Sequence, residues 1–95
     1  MPHTVEWTIR LQLVENEGTT KAQAVLDTGT ASVTGRGVAQ RAPGDQDVPV
    51  IGDEFAAGRA LRDLGSRLLG TAEHDVAAMG AAGEPRRSPV YGWPL

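Results

Sequence analysis

Along the first forty residues, apolar and polar side chains take turns. Val5, Trp7, Ile9, Leu11 and Leu13 fall on one side of an extended chain, and Glu6, Thr8, Arg10 and Gln12 on the other. That period of two predicts a half-buried strand over Val5–Val14. Alternation resumes over Thr20–Leu26, with Ala22, Ala24 and Leu26 on the apolar side, and over Ala31–Gln40, with Val33 inward. Glu15-Asn16-Glu17-Gly18 and Asp27-Thr28-Gly29-Thr30 carry turn chemistry and separate the three runs. Gly35 and Gly37 interrupt the third run. Glycine inside a strand marks a bulge or the close approach of another element, and a helix edge carrying Gly58 and Gly65 is the expected neighbour.

After the polar crossing 41–49 the period changes to that of a helix. Ala57, Leu61, Leu64 and Leu68 recur at spacings of four, three and four and form one stripe, widened by Ala60 and Leu69. Arg59, Asp63, Ser66 and Arg67 fall opposite. Pro49 disfavours helix at Val48, so Gly52 is the expected cap, with Asp53 and Glu54 supplying negative charge to the first turn. Gly70-Thr71 is the expected end, and Thr71–Met79 a short second helix. The expected fold class is therefore α+β: a three-stranded antiparallel sheet covered by one long helix (β-β-β-α), plus a short C-terminal helix. Residues 1–79 form the domain, and 80–95 a tail rich in Pro and Gly. Such a sheet needs one covering layer and leaves two open edges, which pairing with a second copy can close.

Composition narrows the function classes. The chain has 95 residues, enough for one domain. A net charge of −3 with nine scattered Lys and Arg lacks the basic excess of a dedicated nucleic-acid binder. With no cysteine there is no disulfide, thiolate or zinc–cysteine chemistry. No signal peptide or apolar run of membrane-spanning length is visible, so a cytoplasmic setting is the expectation.

The chemical motifs have plainer readings. Asp27-Thr28-Gly29 resembles the active-site loop of dimeric aspartic proteases, in which two such loops share a proton between carboxylates. Those enzymes are nearly all β, whereas half of this chain follows a helical period, so hairpin chemistry is the stronger reading. Gly35-Arg36-Gly37 opens no helix and fails as a dinucleotide loop. Asp45, Asp47, Asp53 and Glu54 lack the spacing of a calcium loop. His3 and His74 read as surface residues, and no triad spacing is present. No catalytic residue, metal site, cofactor or small-molecule ligand is expected, and the chain reads as no enzyme.

One longer pattern carries a resemblance. Gly35-x-Gly37-x-Ala39-x-Arg41-x-Pro43-x-Asp45-x-x-Val48-Pro49-x-Ile51-Gly52-Asp53-Glu54, then Arg59-Ala60-Leu61-x-Asp63-Leu64, resembles a small actinobacterial family of unknown function. Trp7 and Gly18-Thr19-Thr20-Lys21-Ala22 fit its first hairpin, and the likeness spans Val5 to Val76. It implies a fold like that of double-stranded-RNA-binding domains. It also implies homodimers, a dormancy association and a shape like ribosome hibernation factors. Yet the chain lacks the N-terminal helix of an RNA-binding domain, and Asp53 and Glu54 stand where that domain's lysines meet phosphate. Any RNA contact is expected instead from Arg10, Lys21 and Arg36 on the open sheet face, doubled by dimerisation. The expected role is a regulatory or stress-protective binding module at the ribosome. The alternative is a protein-interaction module using the sheet face or the tail aromatics Tyr91 and Trp93.

Overall fold

The computed structural model describes residues 2–81, and of Ala81 the backbone alone. Three strands, β1 (Thr8–Asn16), β2 (Thr19–Asp27) and β3 (Ser32–Gln40), precede one helix, α1 (Pro49–Ala81). The sheet is antiparallel in the order β1-β2-β3, so β2 is central and β1 and β3 are both edges.

Two hairpins set the register. Between Asn16 and Thr19, Glu17 (φ 49°) and Gly18 (φ 82°) both take the left-handed region, which a two-residue turn of the primed type requires. Between Asp27 and Ser32 the chain closes on the Thr28 N–H to Ala31 carbonyl bond at 3.0 Å.

The register produces a gradient across the inner face. Leu13 stands beside Ala22, which stands beside Gly37; in the next row Leu11, Ala24 and Gly35 follow each other. Side-chain size thus falls from β1 to β3, and the helix settles where least is in its way. A Cβ on Gly35 would intrude on the backbone of Ala60 and Leu64, and one on Gly37 on the backbone of Ala56 and Ala60. These glycines are therefore the close approach read from the sequence. Their partners, however, are Ala56, Ala60 and Leu64; Gly58 and Gly65 meet nothing.

The resulting core is Ala22, Ala24, Leu26, Val33, Ala39, Ala56, Ala60 and Leu64, with Leu68 against it. Five of these eight are alanines, so the interface is close rather than voluminous. The helical stripe is rotated from the expected one: Leu61 is 43% exposed, while Leu64 is 3% exposed. Arg59 and Asp63, expected on the far side, reach the β3 edge instead. Arg59 donates to the Val38 carbonyl at 2.8 Å, and Asp63 accepts the Arg36 N–H at 2.9 Å.

The helix ends also differ. It begins at Pro49, where a missing N–H costs nothing, so Gly52 is inside and Asp53 and Glu54 lie beyond the first turn. It runs through Gly70, which has no positive φ, and Thr71 donates its hydroxyl to the Arg67 carbonyl at 3.2 Å rather than capping a new helix. The expected short second helix is therefore the continuation of α1. At 1.5 Å per residue, α1 is about 50 Å long against about 30 Å for a nine-residue strand, so its last turns run past the sheet.

Candidate functional site

The sheet's outer face holds the three candidate cations. Its cross-strand rows read Arg10-Val25-Thr34, Gln12-Gln23-Arg36 and Val14-Lys21-Val38. Each strand thus contributes one cation, in three successive rows. Strand spacing and rise put the Lys21 and Arg36 backbones about 8 Å apart, and Arg10 and Arg36 about 12 Å apart. All three side chains are exposed. The ion pairs among the described residues are Arg67–Asp63 and Arg41–Asp47, and neither engages them. No element among the described residues covers this face.

The β3 edge is fastened electrostatically. Asp63 accepts from the Arg36 backbone and from Arg67 Nε at 3.0 Å, and these bonds hold its carboxyl below the usual value, the Arg36 bond contributing most. Arg59 lies over the Phe55 ring at 5.2 Å.

The opposite side of the same inner face is open. Trp7, Ile9, Leu11 and Leu13 point the way the core residues point, but every residue of β1 is exposed. With Leu61 they form an apolar surface that nothing among the described residues covers. The alternation identified this face correctly as apolar; its burial does not occur within the described part of one chain.

A third feature lies at the start of α1. A cavity of about 610 Å³ opens between the β1–β2 turn, the segment after β3 and the first helical turns. Glu15, Asp45 and Asp47 line it beside the apolar Val48, Ile51 and Phe55. Asp53 stands against Glu15 and raises its pKa, first through their side-chain hydrogen bond and then through charge. Asp53 Oδ1 is shut off from solvent and receives no hydrogen bond. Sequence reasoning had no access to this pair, because its members come from a strand end and a helix that meet only in the fold. The signal available was Val48, Ile51 and Phe55, three apolar residues outside the core stripe.

Asp27 serves the hairpin itself. Its carboxylate accepts the Gly29 N–H at 2.9 Å, while Thr28 and Ala31 exchange bonds across the loop. That is hairpin chemistry, as the plainer reading has it. Among the described residues, His3 and His74 are exposed, and no three His, Asp or Glu side chains gather as a metal site. None of the described helices is long and apolar enough to cross a membrane. Tyr91 and Trp93 lie outside the described residues.

Comparisons with known proteins agree with this architecture. "Uncharacterized protein Mb1767" of Mycobacterium bovis is 42% identical over 73 residues, 77% of this chain and 78% of that one. "Uncharacterized protein Rv2632c" of Mycobacterium tuberculosis is 36% identical over 70 residues, 74% and 75% of the two chains. The crystal structure of Rv2632c superposes with a TM-score of 0.77 at 31% identity, covering 88% of this chain and 98% of that one. Residues 5–86 match the family described as Rv2632c-like, and the chain belongs to that family.

Proposed function

We propose that this chain is a non-enzymatic binding module that acts as a homodimer and meets RNA of the ribosome through the open face of its sheet. The observation that carries the reading is the outer face itself, where Arg10, Lys21 and Arg36 stand one to a strand and none of their side chains forms an ion pair among the described residues. Gln12, Gln23 and Thr34 share the rows with three valines, and their side chains donate and accept hydrogen bonds to phosphate and sugar. The resemblance implies a double-stranded-RNA-binding-domain-like fold, but Asp53 and Glu54 stand in the early turns of α1 where such a domain carries lysines. The usual phosphate-binding edge of such a domain is thereby closed to RNA, and the sheet face is left to do the binding.

The dimer rests on the inner face. A core of mostly alanine stabilises less than one of leucine, since the hydrophobic gain scales with buried apolar area. Covering Trp7, Ile9, Leu11, Leu13 and Leu61 with the same surface of a second copy supplies the missing burial, and a two-fold axis makes such a patch self-complementary. It also doubles the cations. The resemblance to dormancy-associated hibernation-factor-like dimers is consistent with a stress-protective role.

Co-sedimentation with ribosomes at low salt tests the function. The parent should pellet with ribosomes and be released as salt rises, because phosphate neutralisation releases counterions. A variant with Arg10, Lys21 and Arg36 all changed to Gln should stay in the supernatant while keeping its helical circular dichroism. Retention of the triple variant moves the site elsewhere. A parent that never pellets removes the ribosome and favours a protein-interaction module.

A further inference from the structure

We propose that β1 pairs edge to edge with β1 of a second copy, antiparallel about a two-fold axis at Leu11, so that both outer faces join into one cation-bearing surface. The proposal deepens the homodimer argued above and rests on it.

The two edges of the sheet present their backbones differently. On β3, Asp63 accepts the outward N–H of Arg36 at 2.9 Å, and Arg59 donates to the outward carbonyl of Val38 at 2.8 Å. Helix side chains thus occupy that edge, which keeps a further strand off it. Backbone groups in an antiparallel ladder turn alternately towards and away from each neighbouring strand. Because Arg36 and Val38 turn outward, the two registers make Ile9, Leu11 and Leu13 the outward residues of β1. No side chain among the described residues bonds to their backbones. β1 pairs with β2 without a skipped residue and holds no proline, so neither a bulge nor a missing N–H blunts its edge. Leu11 is 37% exposed, with Ala24 at one flank and the open edge at the other.

The order of residues in β1 selects the partner and the register. With the axis at Leu11, that residue faces the partner's Leu11, and Ile9 faces the partner's Leu13. Each such pair exchanges both of its backbone hydrogen bonds and gives each side chain its missing flank. On the outer side Arg10 faces the partner's Gln12, and Thr8 faces the partner's Val14. Glu15 falls opposite the partner's Trp7, which precedes the strand. Moving the axis to Arg10 sets two arginines directly opposite each other. Moving it to Gln12 sets Glu15 against the partner's Ile9. Like charges face to face and a carboxylate in an apolar row both disfavour pairing.

This arrangement decides what dimerisation does to the cations. Stacking two inner faces would turn the outer faces in opposite directions. Edge pairing sets them side by side, with the two Arg10 backbones about 8 Å apart across the axis. Lys21 and Arg36 of both copies lie beyond them on the same surface. One RNA backbone can then meet cations of both copies.

In this register Arg10 and the partner's Gln12 form a pair without hydrogen bonds, about 4.5 Å apart at Cα, which a disulfide can span. The chain has no cysteine of its own. A copy carrying Arg10→Cys is mixed with a separately tagged copy carrying Gln12→Cys, first reduced and then mildly oxidised. The mixed disulfide should form at least about tenfold faster than either variant joins itself, because the thiols meet within a dimer. Thr34→Cys, on the far strand of the same face, replaces Arg10→Cys in the control. The proposal is overturned if Gln12→Cys or Arg10→Cys joins itself as fast, or if the control reacts as fast as the mixed pair. Light scattering on the reduced samples separates the two claims. A dimer without the preferred disulfide overturns the edge pairing and leaves the homodimer, while a monomer removes both.

Discussion

The two edges of this sheet are built on opposite rules. Along β3 the inner positions are Gly35 and Gly37, and the helix comes down until backbone meets backbone. Along β1 the equivalent positions are Leu11 and Leu13, and the helix leaves them exposed. Small residues give contact; large ones hold the helix off. The described residues therefore complete one edge and leave the other open. That contrast explains why β1, the most regularly alternating stretch in the sequence, is the least buried strand.

The largest effect should separate two leucines one helical turn apart. Leu64→Ala, on the closed side, should cost about 2 to 5 kcal/mol in urea unfolding. Leu61→Ala, on the open side, should cost the chain's own fold less than about 1 kcal/mol. Equal losses would mean that the helix sits centrally over the sheet and that the edges do not differ.

Glycines sharpen the same point with opposite signs. Gly35→Ala should destabilise by about 3 kcal/mol, the upper part of the overpacking range, because the obstacle is backbone and cannot rotate away. Gly58→Ala lies on the exposed part of α1, meets nothing, and should stabilise by about 0.5 to 1 kcal/mol through helix propensity. A harmless Gly35→Ala would remove the close approach as a determinant of the fold.

Much of this was legible in residue patterns. Period two located the three strands, and the parity of Arg10, Lys21 and Arg36 put them on one face before any register was known. The helical stripe was misread for a definite reason. Hydropathy favours Leu61 over Ala56, but a glycine-lined strand selects small side chains, so Ala56 and Ala60 face the sheet. Gly70 was misread because a glycine permits a helix end without imposing one, and Thr71 bonds back into the preceding turn. The Glu15–Asp53 pair was not legible at all, since only the packing of β1 against α1 joins them.

Smaller effects appear in pH dependence, and again the two edges oppose each other. Asp63 fastens β3 as a carboxylate, with its folded pKa below the ordinary 3.8. Its contribution is present above that value and is lost as pH falls through the lower folded one. Glu15, at the end of β1, is raised above 4.5, so its ionisation beside Asp53 disfavours the fold, and stability is gained as pH falls through the raised value. Glu15→Gln should therefore raise the thermal midpoint at about pH 7 and not at about pH 3. Asp63→Asn should lower it at about pH 7, with the difference vanishing near about pH 2. The same sign for both variants at neutral pH would contradict these assignments.

Mass in solution tests the unfinished edge most directly. Sedimentation equilibrium from low to high micromolar concentration should give twice the chain mass for the parent. Leu11→Glu, which sets a charge in the middle of the exposed β1 face, should give the mass of one chain with its circular dichroism unchanged. A parent that stays monomeric throughout, or a Leu11→Glu variant that dimerises as the parent does, would contradict the claim that β1 is completed by a second copy.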